Sequence, residues 1–310
     1  MRSPDGWLGL TRACSTGRAH TRCVAAKVAG LVLAVVFPVA PALAQSAVTW
    51  AYELPSGLSG QAQGVLRIPT EGRNGHAMLL LHHSGGFDRG TTAQYAELFQ
   101  QRGFLTLELR LFDRPENRPV APVMYAMTAS ALMFLSRQPG VQPDKVSAIG
   151  LSMGAFMATV GASSWFYAEH NLGDTRFHKL AALYPVCWSA SEISKGHTEG
   201  LPHVAGLPSN FLQSFAGVPL LILAAGRDDY DGRNPRACLD FAASIRDPRQ
   251  SSITQVKVYA EASHGWDHGR TYDFMVWGGC VGRTNCRNRN VHSPEHTERG
   301  KQDLLAFFSP

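Results

Sequence analysis

Short apolar runs and amphipathic segments alternate along most of the chain. Runs bounded by Gly, Pro or polar residues predict strands over 48–54, 63–69, 76–86, 104–112, 145–151, 179–185, 218–226 and 253–260. Apolar residues spaced by three or four predict helices over 91–103, 122–140, 153–164, 235–246 and 293–308. The first two strands have no helix between them, which favours an antiparallel pair. The alternation that follows favours an α/β fold with a mainly parallel, doubly wound sheet and helices on both faces.

Two segments do not fit this alternation. Residues 189–214 are rich in Gly, Pro, His and Ser, and residues 265–292 are rich in Gly and Arg. In an open α/β sheet, ligands bind at the carboxyl ends of the strands, and the connecting segments there often cover the site. We therefore expect these two segments to form a cap or loop excursions near the site, with plain surface decoration as the alternative.

The amino-terminal segment has the three parts of a secretory signal. Five Lys or Arg residues precede an apolar run over 28–39, and Ala42-Leu43-Ala44 fits the small-x-small pattern for cleavage. The alternative is a membrane anchor. The run is short for a span, contains one Pro and is soon followed by another. The sequence thus predicts a signal peptide over 1–44, an exported protein (periplasmic or secreted) with a single domain over 45–310, and no stable membrane span after cleavage.

The formal net charge of the 310-residue chain is +5, and most of this charge belongs to the predicted signal peptide. Residues 1–44 contain five basic residues and one acidic residue, so the remainder carries about +1. No basic patch is visible in that remainder. The composition therefore does not predict a nucleic-acid partner.

Four of the six Cys residues follow the predicted cleavage site. An even number in an exported protein is compatible with two disulfides. Cys280 and Cys286 are close enough in sequence to close a small loop, whereas Cys187 and Cys238 can pair only if their segments meet in the fold. Buried free thiols are the alternative, and no C-x-x-C spacing indicates zinc.

The chemistry centres on Gly150-Leu151-Ser152-Met153-Gly154, a G-x-S-x-G pattern. Alone, this pattern also arises by chance in an ordinary strand–turn–helix. Here an apolar strand precedes it and a helical segment follows it, the setting in which a sharp turn presents Ser as a nucleophile. Small residues on both sides let neighbouring backbone pass closely, and the helix amino end directs free N–H groups at the reacting oxygen. We therefore predict Ser152 as the nucleophile.

A Ser hydroxyl needs a base and an orienting acid, which follow it in the order Ser, acid, His in this type of fold. Asp228 and Asp229 come directly after the apolar run 218–226, and His264 comes after the last predicted strand. We predict Asp228 as the acid, with Asp229 as the alternative, and His264 as the base, with His268 as its rival. A polar turn and a surface histidine are the alternatives without catalytic function.

An oxyanion hole needs two donors. The backbone N–H of Met153 is one candidate, and that of Ser84, in the Gly-rich loop after the third strand, is the other. His82 and His83 in that loop receive no catalytic role. A metal site built from these two with His264 and His268 is an alternative, but a His-x-x-x-His pair without Glu is a weak signal. No metal and no cofactor are predicted.

Several segments together resemble the dienelactone hydrolase branch of the α/β-hydrolase superfamily. They are "LLLHHSGG", "YAELFQQRGFLTLELR", "DKVSAIGLSMGA", "LYPVCW", "PLLILAAGRDDYDG" and "ASHGW", and the likeness spans roughly 64–264. The resemblance implies an α/β-hydrolase fold and hydrolysis of an ester or lactone through an acyl-enzyme. It also places Ser152, Asp228 and His264 on the catalytic residues, and Ser84 and Met153 on the oxyanion donors.

Related sequences often carry one Cys in a "YPxC" segment and another after the acid, which supports a Cys187–Cys238 pair. Dienelactone hydrolase itself uses Cys as nucleophile, so the Ser at position 152 argues against dienelactone as substrate. The loop after the acid is longer than in the family, so Asp228 and Asp229 both remain candidates for the catalytic acid. The export signal also departs from the family's cytoplasmic setting.

These observations predict an exported serine hydrolase that acts on a small-molecule carboxylic ester or lactone. A peptidase or amidase with the same triad is the first alternative. A catalytically inactive binding protein on the same fold is the second.

Overall fold

The computed structural model of the chain describes residues 44–53, 59–87 and 89–309. The predicted signal peptide lies outside these residues except for Ala44, where the first strand begins. None of the helices in the described ranges combines the length and the apolar character needed to cross a membrane.

Eight strands form the main sheet. They are β1 (Ala44–Glu53), β2 (Ser59–Ile68), β3 (Ala77–Leu81), β4 (Leu105–Arg110), β5 (Val146–Leu151), β6 (Leu180–Leu183), β7 (Leu220–Ala225) and β8 (Thr254–Tyr259). Their order across the sheet is β1-β2-β4-β3-β5-β6-β7-β8. β2 runs antiparallel to both β1 and β4, and the other neighbouring strands are parallel. The structure confirms the predicted antiparallel pairing of the first two strands and the mainly parallel sheet that follows them.

Helices lie on both faces of this sheet. They are α1 (Arg89–Gln100), α2 (Ala121–Ser136), α3 (Met153–Val160), α4 (Ser164–Glu169), α5 (Cys187–Ser194), α6 (Ala237–Ser244), α7 (Pro248–Ile253) and α8 (Pro294–Phe308). Every residue of β3 is buried. Leu79 and Leu81 belong to a core cluster shared with α2 and α3, whereas Met78 and Leu80 belong to one shared with α1 and α8. Successive side chains of a strand point to opposite faces, so both faces are covered.

The structure differs from the predicted elements mainly outside the sheet. The helix predicted over 235–246 is shorter, and a second helix, α7, follows it because the Asp247 side chain accepts hydrogen bonds from the backbone N–H groups of Arg249 and Gln250. Most of α5 lies within 189–214, where the sequence pattern predicts neither a helix nor a strand. Two antiparallel strands, β9 (Tyr272–Cys280) and β10 (Thr284–Asn290), lie within 265–292.

Two disulfides connect the four cysteines of the described chain. Cys187–Cys238 joins the first residue of α5 to α6, and Cys280–Cys286 closes the β9–β10 hairpin. Both pairings considered from the sequence are therefore present.

Candidate active site

Ser152 lies on the turn between the end of β5 and the start of α3. Its φ of 53° and ψ of −111° place a non-glycine residue in the sparsely populated positive-φ region. Its backbone N–H donates to the carbonyl oxygen of Leu183 at the end of β6, 3.0 Å away. The turn thus holds the Ser152 side chain at the carboxyl ends of the parallel strands, as the sequence pattern predicts.

The two glycines of the motif are required by close backbone contacts. A Cβ on Gly150 would collide with the carbonyl group of Gly154 across the turn. A Cβ on Gly154 would collide with the carbonyl of Leu81, at the end of β3. Since both obstacles are backbone atoms, neither can move aside as a flexible side chain could.

Ser152, His264 and Asp228 form a buried hydrogen-bonded series. The Oγ atom of Ser152 lies 2.7 Å from Nε2 of His264, and Nδ1 of His264 lies 2.7 Å from Oδ2 of Asp228. Asp228 follows β7, and His264 follows β8. Because the carboxylate only accepts, Nδ1 carries the proton, which leaves the Nε2 lone pair to accept from the Ser152 hydroxyl. The other Asp228 oxygen accepts from the backbone N–H of Tyr230, 2.9 Å away.

The two alternative residues lie in other contacts. Oδ1 of Asp229 accepts from Nε of Arg233 at 2.7 Å, and its Oδ2 accepts from the backbone N–H of Arg289 at 2.8 Å. His268 Nδ1 lies 2.7 Å from the hydroxyl of Tyr272. The structure therefore places Asp228 rather than Asp229 against His264, and His264 rather than His268 against Ser152.

A third acid of the same loop, Asp231, has a separate task. Its carboxylate accepts from the backbone N–H groups of Cys187 and Trp188, at 3.2 and 2.7 Å, at the amino end of α5. Burial, together with the nearby charge of Asp228, raises the pKa of Asp231 to about 8. The sequence shows Asp231 only as a further acid close to Asp228 and Asp229 and gives no indication of this contact.

A buried network lies behind His264, and the sequence pattern does not predict it. The ring of Tyr184 stands nearly edge-on to the His264 imidazole, with 5.0 Å between centroids. Its hydroxyl donates to Oδ1 of Asp267 at 2.7 Å, and the hydroxyl of Tyr95 donates to Oδ2 at 2.5 Å. Burial raises the pKa of Asp267. The network connects the loop that carries His264 to β6 and α1, and no local pattern links residues so far apart in sequence.

A cavity of about 140 Å³ opens beside Ser152. Ser84 and Met153, the predicted oxyanion donors, line it together with Ser152. Met153 is the first residue of α3, so its N–H has no partner within the helix. Both excursions predicted from the sequence contribute to the wall, the first through His203 and the second through Gly279.

The histidines considered for a metal site have other partners. His82 Nε2 accepts from the backbone N–H of Leu111 at 3.2 Å, and its Nδ1 lies 2.8 Å from the carbonyl oxygen of His83. Burial lowers the pKa of His82 to about 4, which keeps the ring neutral. The rings of His83 and His268 pack 4.6 Å apart. Within the described ranges, the one cluster with metal-ligand atoms in reach contains Asp231 and two cysteines, whose sulfurs are joined in the disulfide.

The sequence matches no protein-family model and no curated protein. Solved structures are nevertheless similar to it. Esterase 2 of Thermogutta terrifontis, in a form phosphoramylated by tabun, has a TM-score of 0.59 at 14% identity, covering 84% of this chain and 93% of its own. A carboxylesterase of Lactobacillus plantarum has a TM-score of 0.52 at 11% identity, and the match covers 72% of this chain and 86% of the carboxylesterase. A protein described as a dienelactone hydrolase, from Klebsiella pneumoniae, has a TM-score of 0.51 at 15% identity, covering 85% and 98%.

These likenesses, with the strand order and the helices on both faces, establish the class of protein: the chain has the α/β-hydrolase fold. The resemblance noted in the sequence is thereby confirmed at the level of the fold.

Proposed function

We propose that this protein is an exported serine hydrolase that cleaves a carboxylic ester or a lactone. The observation that carries the proposal is the buried hydrogen-bonded series from Ser152 through His264 to Asp228, with both contacts at 2.7 Å. A nucleophile, a base and an orienting acid in this geometry activate a hydroxyl for acyl transfer on unrelated folds.

In the proposed reaction, the Oγ atom of Ser152 attacks the carbonyl carbon while Nε2 of His264 takes the hydroxyl proton. Asp228 keeps the proton of the imidazole on Nδ1 and stabilises the charged ring. The N–H groups of Met153 and Ser84 stabilise the oxyanion of the tetrahedral intermediate. His264 then protonates the leaving alcohol, and a water molecule activated by the same base hydrolyses the acyl-enzyme. This scheme needs no cofactor.

Two observations support export. The first is the three-part signal pattern over 1–44, and the second is the pair of disulfides, which persist mainly in oxidising compartments. We assign the protein to the periplasm or the extracellular space on this basis.

Ester or lactone cleavage is favoured over the alternatives by the site itself. The cavity beside Ser152 is small and has mainly apolar walls, including Met124, Phe156 and Val186, which suits a short acyl group better than an extended peptide. The complete Ser–His–Asp series argues against an inactive binding protein. Several structurally similar proteins are named esterases, which agrees with this choice.

Covalent labelling tests the proposal directly. A fluorophosphonate probe is expected to label the folded protein and to fail on Ser152→Ala, while a panel of aryl esters is hydrolysed and matched peptide anilides are not. Absence of labelling in folded wild-type protein would favour the inactive binding protein. Faster cleavage of the anilides would favour the amidase.

A further inference from the structure

Several polar side chains that line the cavity beside Ser152 make no hydrogen bond to another described residue, and Tyr125 and His203 are two of them. The hydroxyl of Tyr125, on α2, makes no hydrogen bond to any described residue, although the side chain is only 1% exposed. The imidazole of His203, from the 189–214 excursion, likewise has no hydrogen-bond partner within the described ranges. Its ring meets Phe156, another wall residue, edge-on with 5.1 Å between centroids.

Among the most deeply buried tyrosines of the described chain, Tyr125 is the one whose hydroxyl makes no hydrogen bond to another described residue. Four tyrosines are the most deeply buried ones of the described chain: Tyr95, Tyr125, Tyr184 and Tyr259. The hydroxyls of Tyr95 and Tyr184 donate to Asp267, and that of Tyr259 donates to Asp303. Buried polar groups are nearly always paired, because an unpaired one costs stability. A hydroxyl left open on a cavity next to the nucleophile is therefore placed to receive a ligand.

The protonation states of Tyr125 and His203 determine which ligand atoms can hydrogen-bond to them. Burial raises the pKa of Tyr125, so the phenol keeps its proton and donates. Burial, with the charge of Arg118, lowers the pKa of His203 to about 4, so near neutral pH the ring is uncharged and offers one N–H. Two neutral donors suit an oxygen that accepts. Arg118 also lines the cavity, but its side chain is exposed, so solvent screens its charge. A carboxylate bound to Tyr125 and His203 would exchange its hydration for hydrogen bonds from neutral groups.

We propose that Tyr125 and His203 form a polar subsite that binds an uncharged oxygen, such as a ketone, ether or hydroxyl, on the non-reacting part of the substrate. The inference rests on the proposed ester hydrolysis and narrows its substrate class to short esters or lactones that carry such an oxygen. The size of the cavity agrees, because about 140 Å³ is close to the roughly 150 Å³ that holds a benzene-sized group.

A matched pair of aryl esters tests the subsite. The 4-oxopentanoate and 4-methylpentanoate esters have the same chain length, nearly the same size and the same leaving group, and they differ at C4, where a ketone oxygen replaces a methyl group and a hydrogen. We expect the wild type to have a kcat/KM about tenfold or more higher for the keto ester, because a site built to hydrogen-bond an oxygen discriminates against its absence. Tyr125→Phe should remove most of this preference. His203→Leu should do the same, and His203→Gln, which keeps an N–H, should restore part of it.

Tyr259→Phe is the matched control. It also removes one buried tyrosine hydroxyl, but that hydroxyl donates to Asp303 and does not line the cavity, so the ratio of the two esters should stay at the wild-type value. An unchanged ratio in Tyr125→Phe would overturn the subsite. A preference for the hydrogen succinate ester over the keto ester would overturn its uncharged character.

Binding to Ser152→Ala separates this inference from the proposed function. If the wild type cleaves neither ester and resists the fluorophosphonate, ester hydrolysis fails. Calorimetry with Ser152→Ala then still tests the subsite. Tighter binding of the keto ester than of the methyl analogue supports the subsite if the double variant Ser152→Ala/Tyr125→Phe loses this difference. Equal binding of the two esters by Ser152→Ala overturns it.

Discussion

Nδ1 of His264 lies 2.7 Å from Oδ2 of Asp228, a residue 36 positions earlier in the chain, and both side chains are buried. Asp228→Asn keeps the size of the side chain but turns an N–H toward the imidazole or forces it into the other tautomer. We expect kcat for an aryl ester to fall by about 10³–10⁴. Steady-state kinetics measures the loss, and urea unfolding verifies that the variant is folded.

Asp229→Asn is the matched control for this prediction. The Asp229 carboxylate contacts Arg233 and the backbone of Arg289 instead of the imidazole. We therefore expect the Asp229→Asn variant to retain most of the wild-type esterase activity. If Asp229→Asn abolished turnover while Asp228→Asn stayed active, the assignment of the acid would be reversed.

Gly154→Ala should damage both the fold and the activity. Its new Cβ would meet the backbone carbonyl of Leu81, so β3 and α3 must separate. We expect a loss of about 1–3 kcal/mol in the free energy of unfolding and a large fall in kcat, because the amide of Met153 moves with α3. Urea denaturation and ester kinetics measure the two effects.

Gly300→Ala provides the comparison for that substitution. Gly300 lies within α8, and the nearest atoms to an added Cβ are 3.9 Å away, which is ordinary contact. Alanine there should leave kcat unchanged and stabilise the protein by about 0.5–1 kcal/mol, owing to its better helix propensity. Equal destabilisation at both positions would contradict the role assigned to close packing at Gly154.

The parts predicted well from sequence are those with a strong local signal. β3 and β5 are buried along their whole length; β3 is an uninterrupted apolar run, and β5 is interrupted only by Ser147. Ser152 is marked by its two flanking glycines, and His264 by the strand before it. Because parallel strands end at one edge of the sheet, these local signals also imply which side chains meet.

The rest depends on contacts that no local pattern encodes. Asp228 and Asp229 are adjacent on one turn, and only the folded loop decides which faces His264. The contact between Tyr184 and Asp267 joins residues 83 positions apart. β10 reads "TNCRNRN", with no apolar face, because the hairpin is held by its partner strand and a disulfide rather than by a core-facing stripe.

Asp231 should make stability depend on pH. Burial raises its pKa from 3.8 to about 8, so between these values the folded state holds a proton that the unfolded state has released. The stability contributed by this group is therefore complete below about pH 4 and is lost as the pH rises through 8. The Asn side chain of the Asp231→Asn variant does not titrate. The free energy of unfolding of the wild type should therefore fall relative to that of the variant as the pH rises across this range, by at most about 1.4 kcal/mol per pH unit.

Urea denaturation of both proteins at pH 5, 7 and 9 measures this difference, which includes the effect of Asp231 on its neighbour Asp228. A constant difference for Asp231→Asn would contradict the raised pKa.

The Cys187–Cys238 disulfide should stabilise the protein more than Cys280–Cys286 does. It closes a loop of 51 residues instead of 6, and the entropy removed from the unfolded chain grows with loop length. Replacing both cysteines of the first pair by Ser should cost about 2–5 kcal/mol, against a smaller loss for the second pair. The first replacement should also lower kcat, because the pair holds the amino end of α5, which Asp231 contacts beside Asp228. Thermal unfolding and ester kinetics of the two double variants test this order, and a larger loss from the hairpin pair would contradict it.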